Sequence, residues 1–100
     1  MRTLLTVKTD MSASNKAVMD GSLAKLIQAT MERIKPEAAY FCTQDGNRGC
    51  FMVFDLKDPS DIPVITEPLF QGLNAKVEFS PVMNIEDLQK GLSQMQQLNN

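Results

Sequence analysis

Apolar and polar positions follow two periods along the chain, and these periods succeed one another in a defined order. In residues 2–8, Leu5 and Val7 alternate with more polar neighbours, which predicts a first strand. Three later segments also look like strands: residues 37–44, 50–56 and 76–82. Asp45-Gly46 separates the middle two and supplies the positive backbone angles of a tight hairpin.

Apolar residues recur at helical spacing in the segments between these strands. Residues 22–34 carry an amphipathic stripe that ends before Pro36. Asp20-Gly21-Ser22 should separate this helix from a short turn, because glycine destabilises a helix interior. Ser60 is a candidate cap for a second helix, which is expected to be short or kinked because Pro68 lacks a backbone donor.

A third helix is predicted near the end of the chain. Asn84 and Asp87 have the spacing of a capping box, and four apolar side chains follow at helical spacing. These are expected to point inward: Ile85, Leu88, Leu92 and Met95. The resulting order, βαββαβ with a trailing helix, predicts a ferredoxin-like α+β fold in one domain, residues 1–100, with helices on one face of a four-stranded antiparallel sheet.

The other face of this sheet has no predicted cover. Residues 50–54 are nevertheless continuously apolar, a pattern typical of a strand that is covered on both sides. The missing layer is expected to come from a partner, and a second copy of the chain is the simplest one.

Composition and charge argue against several classes of function. The net charge of −2 indicates no surface for tracking phosphates, so a nucleic-acid partner is not expected. No apolar run approaches the length of a membrane span and residues 1–10 do not resemble an export signal, which favours a cytoplasmic protein. The chain has no histidine and only two cysteines, so neither a metal site of the usual type, nor a cofactor, nor a histidine-dependent nucleophile is predicted.

The sequence leaves the hairpin register open. Gly46 and Gly49 each permit a bulge, and a slip of one residue exchanges the faces of one strand. Cys42 and Cys50 flank the turn and would lie opposite each other in one register. Because cytosolic thiols are kept reduced, two free cysteines are expected.

One face of the sheet is a candidate ligand site. If Leu5 lies under the helices, the opposite face collects apolar and polar residues together, as in a ligand cavity between two sheets. With the even-numbered hairpin residues on this face, the ligand-binding candidates are Thr6, Lys8, Tyr40, Met52, Phe54 and Glu78.

Two of these residues are also catalytic candidates. Lys8 near Glu78 would form an acid–base pair, since burial beside an opposite charge shifts a pKa. The alternative is a solvated ion pair or two unrelated charges. Tyr40 is either a catalytic phenol or a residue at the rim of the core.

Several short runs together carry a resemblance to a known family. They are Asp20-Gly21-Ser22, Lys35-Pro36-Glu37-Ala38-Ala39-Tyr40-Phe41, Asp45-Gly46, Phe54-Asp55, Glu67-Pro68-Leu69-Phe70, Asn74-Ala75 and Pro81-Val82-Met83-Asn84. Over nearly the whole length, the chain resembles a family of small bacterial proteins without assigned function in the dimeric α/β barrel superfamily, and it is distantly similar to muconolactone isomerase. The resemblance implies a homodimer whose two sheets enclose a cavity.

Three functions are compatible with these observations. The first is a homodimer that binds a small apolar or aromatic molecule between facing sheets. The second is a cofactor-independent isomerase or monooxygenase acting on an aromatic or lactone compound. The third is a structural or regulatory dimer with a filled interior.

Overall fold

The computed structural model describes residues 1–99, so Asn100 of the predicted domain lies outside the described residues. Eight elements follow one another along the chain. They are β1 (Arg2–Lys8), α1 (Met11–Asp20), α2 (Ser22–Ile34), β2 (Ala38–Gln44), β3 (Asn47–Asp55), α3 (Asp61–Leu73), β4 (Lys76–Pro81) and α4 (Ile85–Leu98). The strands form an antiparallel sheet in the order β2-β3-β1-β4. This α+β arrangement is compatible with the ferredoxin-like fold and confirms the predicted class.

Two helix predictions need correction. The segment before Gly21 is a ten-residue helix, α1, rather than a short turn. Asp10 caps it by accepting a hydrogen bond from the Ala13 N–H at 2.9 Å, and Gly21 ends it with φ of 80°. The second predicted helix is not short either, because α3 has 13 residues and continues through Pro68. Burial of Ile65 and Leu69 offsets the one hydrogen bond that proline removes.

The Asp45-Gly46 turn decides the hairpin register. Both residues have positive φ, 51° and 79°, and they connect β2 to β3 as a two-residue loop of the type that matches strand twist. Gln44 then pairs with Asn47, and Tyr40 pairs with Phe51. Even-numbered residues of β2 therefore share a face with odd-numbered residues of β3.

The core lies between one sheet face and the helices α1, α2 and α3. Its sheet side is formed by Leu5, Val7, Cys50, Met52 and Phe54, and partly by Val77 and Phe79. Phe54 and Phe79 meet edge to face, with ring centroids 6.2 Å apart. We refer to the opposite, uncovered side of the sheet as the open face.

The last helix does not join this core. Asn84 and Asp87 form the predicted capping box, with the Asp87 N–H donating to Asn84 Oδ1 at 2.8 Å. The expectation of inward-pointing side chains is wrong, because no side chain of α4 is buried. The sequence periodicity identifies an apolar stripe but does not say which surface covers it.

Candidate functional site

An apolar cavity of about 230 Å³ lies between α2 and the sheet. We call it the α2 cavity. Its wall is formed by Leu5, Val7, Thr9, Leu23, Ile27, Thr30, Phe41, Cys42, Arg48, Gly49, Cys50, Met52, Leu69 and Leu73. The surface that these residues present to the interior is apolar throughout. A cavity with this lining favours an uncharged hydrocarbon group over water.

The cavity is bounded by the edge strand β2. Phe41 pairs with Cys50, so its ring lies on the helix side of the sheet, yet 53% of the residue is exposed. Phe41 and Ile27 also border a shallower groove along α2 that includes Met31. A small molecule would therefore reach the cavity between α2 and β2, where the helices cover the sheet least.

The polar groups nearest the cavity are occupied by the protein itself. The Thr30 hydroxyl donates to the Leu26 carbonyl at 2.8 Å, within α2. The Thr9 hydroxyl donates to the Arg48 carbonyl at 3.0 Å, which joins the end of β1 to β3. With these hydrogen bonds made, the wall offers a ligand packing contacts rather than polar anchors.

Arg48 connects the first helix to the sheet at one end of the cavity. Its Nη1 donates to Ser14 Oγ at 2.9 Å and to Asn15 Oδ1 at 2.8 Å. Ser14 is completely buried, so this hydrogen bond satisfies a hydroxyl that would otherwise be costly to bury. Arg48 thus fixes the position of α1 and contributes only its stem to the wall.

Cys50 is the one buried thiol of the described chain, and it lies in the cavity wall. Burial raises its pKa from 9.0 to about 11, with a smaller contribution from repulsion by Cys42. Cys50 therefore remains a neutral thiol at physiological pH and is a poor nucleophile. Cys42 pairs with Gly49 rather than with Cys50, and both cysteines are free, as expected.

The six sequence-predicted ligand residues do not share one face. Thr6, Lys8, Tyr40 and Glu78 belong to the open face. Met52 and Phe54 lie on the opposite side, each only 2% exposed, and their placement beside Tyr40 is wrong. The two-residue turn pairs each even-numbered residue of β2 with an odd-numbered residue of β3, and paired residues share a face. An even-numbered residue of β2 therefore lies on the opposite face from an even-numbered residue of β3.

The four residues that do lie on the open face are spread across it. Thr6 pairs directly with Glu78, on adjacent strands. Tyr40 is on β2, at the other edge from β4, roughly 14 Å from Glu78 by the spacing of strands. Tyr40 is 70% exposed. One chain alone therefore does not assemble these side chains into a pocket.

The hypothetical acid–base pair is not formed within one chain. The Nζ of Lys8 lies 3.1 Å from Asp45 Oδ2, across the hairpin turn, and Lys8 pairs with Lys76 on β4. Glu78 takes part in no ion pair among residues 1–99. Lys8 thus makes a partly solvated ion pair with a different partner from the one predicted.

The residues of the α2 cavity were missed as a site because their pattern is that of a core. Leu23, Ile27 and Thr30 follow helical spacing, and Cys50 follows the strand period. Periodicity indicates which side chains point inward but not whether they fill the space between two elements. The adjacent pair Tyr40-Phe41 was the available signal, because it places an aromatic ring on each face of an edge strand.

Two classes of site are not found in the described part of the chain. Residues 1–99 contain no group of three histidine, cysteine or acidic side chains arranged to hold a metal ion. None of their helices combines the length and apolar character needed to cross a bilayer.

Residues 1–96 match the family model described as a domain of unknown function, DUF3303. The chain therefore belongs to this family. A comparison with curated proteins gave no match.

Proposed function

We propose that this member of the DUF3303 family is a homodimeric protein that binds one small apolar molecule in the α2 cavity of each copy. The observation that carries this proposal is the cavity itself, about 230 Å³ with an apolar wall. A dry cavity of about 150 Å³ is large enough for benzene, so the volume suits one aromatic ring or a small fused pair. The ligand class is therefore a small aromatic or unsaturated hydrocarbon group.

Binding explains the site better than catalysis does. An acid, a base or an oxyanion donor must reach the reacting atom within hydrogen-bond distance. The cavity wall presents no polar atoms, and the candidates Lys8 and Glu78 belong to the other side of the sheet. We place the ligand in this cavity rather than in the predicted chamber between facing sheets, because Met52 and Phe54, two of the side chains expected to line that chamber, are core residues.

The homodimer is supported by the open face. Tyr40 and Phe51 pair on this face and remain 70% and 36% exposed. Two adjacent aromatic rings on a sheet surface form the kind of apolar patch that marks an interaction site. A second copy would cover them and supply the missing layer.

Protection of Cys50 from alkylation tests ligand binding directly. In a Cys42→Ser variant the only thiol is in the cavity wall, so a ligand in the cavity should slow its reaction with iodoacetamide. Benzene and indole are the probes, and pyrene, which is too large for the volume, is the control. A probe present at ten times its Kd should slow the reaction about tenfold and raise the Tm.

A pair of matched substitutions connects this protection to the cavity. Thr30→Met places a longer side chain into the cavity and should abolish protection by indole. Thr66→Met makes the same change at a buried position of α3 outside the cavity wall, and protection should persist there. Unprotected Cys50 and an unchanged Tm with both benzene and indole would refute the proposal, as would equal protection in the two methionine variants.

A further inference from the structure

The last helix carries an apolar stripe that its own chain leaves uncovered. Four side chains of α4 lie on one side of the helix, at spacings of three and four residues: Ile85, Leu88, Leu92 and Met95. Each is at least 40% exposed. A stripe of this kind normally packs against another element.

The rest of the chain leaves this stripe exposed. The radius of gyration is 16.4 Å and the longest dimension is 60 Å, whereas a compact domain of this length has a radius near 13 Å. An isolated helix of about 14 residues is marginally stable in water. The capping box nevertheless specifies a helix here, so its stability must come from packing against something else.

The start of α4 lies beside the open face. Asp87 Oδ2 in its first turn is 3.8 Å from the Nη1 of Arg2, an even-numbered residue of β1. The apolar stripe and the open face are therefore two neighbouring uncovered surfaces of the same molecule. Arg2 also forms an ion pair with Glu37, which holds its guanidinium at this corner.

The dimensions of the helix and the sheet correspond. A 14-residue helix is roughly 21 Å long, and a seven-residue strand such as β1 is roughly 23 Å long. One helix can therefore lie along the strands of the open face over their full length and cover the middle of that face. From their exposed fractions, the four stripe residues together with Tyr40 and Phe51 present on the order of several hundred Å². This is the same order as the roughly 800 Å² per partner of a standard interface.

We propose that α4 is the dimerisation arm of this protein and that its apolar stripe packs on the open face of a second copy. The inference rests on the proposed homodimer and names the element that forms it. Because each copy has one stripe and one open face, a reciprocal exchange about a two-fold axis covers both surfaces and closes the assembly. The apolar run of residues 50–54 then lies between two helical layers, as a doubly covered strand should.

The charge of α4 argues against a lipid surface as the occupant. Helices that lie on membranes carry several cations on the polar face. Residues 85–98 contain one cation, Lys90, and two acidic residues, Glu86 and Asp87. Anionic lipids would therefore not attract this helix.

Sedimentation velocity at 50 µM tests the arm with charge-matched variants. Leu92→Glu places a carboxylate in the stripe, and Gln94→Glu places the same charge on the opposite side of α4. Phe51→Glu places it on the open face. We expect the unmodified protein and Gln94→Glu to have twice the mass of one 11.1 kDa chain, and Leu92→Glu and Phe51→Glu to have the mass of a single chain.

Slow alkylation of Cys50 in a Cys42→Ser background shows that each variant remains folded. If Leu92→Glu fails this criterion, Leu92→Ser replaces it. A single-chain mass for the unmodified protein, or a dimer in Leu92→Glu, would overturn the inference. Dimerisation that survives Phe51→Glu would place the arm elsewhere and refute the assignment of the open face. Protection of Cys50 by indole should persist in the monomeric variants, because one chain forms the whole α2 cavity. Loss of dimerisation and loss of ligand binding are therefore measured separately.

Discussion

Truncation of Met52 tests which side of β3 belongs to the core. Met52 is 2% exposed and pairs with Leu5 on β1 and Ala39 on β2. Replacing a buried methionine by alanine lowers the free energy of unfolding by about 2–5 kcal/mol. For a domain of about 100 residues each kcal/mol corresponds to a Tm change of about 4–8 °C, so a mid-range loss of about 3 kcal/mol lowers the Tm by about 12–24 °C.

The neighbouring residue supplies the control. Phe51 lies on the open face, and Phe51→Ala should cost about 1 kcal/mol or less within one chain. Both substitutions are made in the Leu92→Glu background so that association does not contribute, and thermal and urea denaturation are both followed by circular dichroism. If Phe51→Ala destabilised the chain as much as Met52→Ala, the two faces of β3 would be exchanged and the register would be wrong.

Three further predictions concern the cavity wall and the hairpin. In Cys42→Ser, iodoacetamide should alkylate Cys50 about 100-fold more slowly at pH 8 than a cysteine with the ordinary pKa of 9.0, because burial raises the pKa of Cys50 to about 11. An alkylation rate equal to that of a short cysteine peptide would contradict the burial of this thiol. Because the pKa is higher in the folded state, the stability contributed by the neutral thiol is fully present below pH 9 and is lost as the pH rises to about 11. Urea midpoints at pH 8 and pH 10.5 should therefore fall further for the natural chain than for Cys50→Val, and equal falls would refute the assignment. Gly49→Ala should lower the free energy of unfolding by about 1–3 kcal/mol, because an added Cβ would lie 2.5 Å from Gln44 Nε2 and 2.7 Å from the Val7 carbonyl oxygen. Gly91→Ala is the matched control and should not destabilise the chain, since its added Cβ meets no atom within 4 Å. A smaller loss of stability for Gly49→Ala than for Gly91→Ala would count against the packing around Gln44.

The candidate site was less predictable than the fold for a specific reason. Side chains on a strand alternate between faces, so the face of Tyr40 relative to Phe51 or Met52 depends on the register of the hairpin. The glycines near the turn left two registers open. The positive φ angles at Asp45 and Gly46 select one, and Met52 thereby moves from the hypothetical ligand face into the core.

The α2 cavity depends on distances that no local pattern encodes. Leu23, Ile27 and Thr30 were recognisable as an inward-facing stripe, and Cys50 as part of an apolar strand. Whether these side chains meet or leave a space depends on how far α2 lies from β2 and β3. Gly21 separates α2 from α1, and Arg48 holds α1 to the sheet through Ser14 and Asn15. The placement of the helices over the sheet therefore involves contacts between residues that are remote in sequence.

By itself the sequence determined the order of elements, the turn at Asp45-Gly46, the capping box of α4 and the apolar stripe that follows it. These features are local, because each depends on backbone preferences and side-chain spacing within a few residues. Only the tertiary structure decided which residues share a face, where a cavity remains and that α4 lies outside the core of its own chain. These features depend on pairing and packing between distant segments, in which a shift of one residue or a few ångströms reverses the outcome.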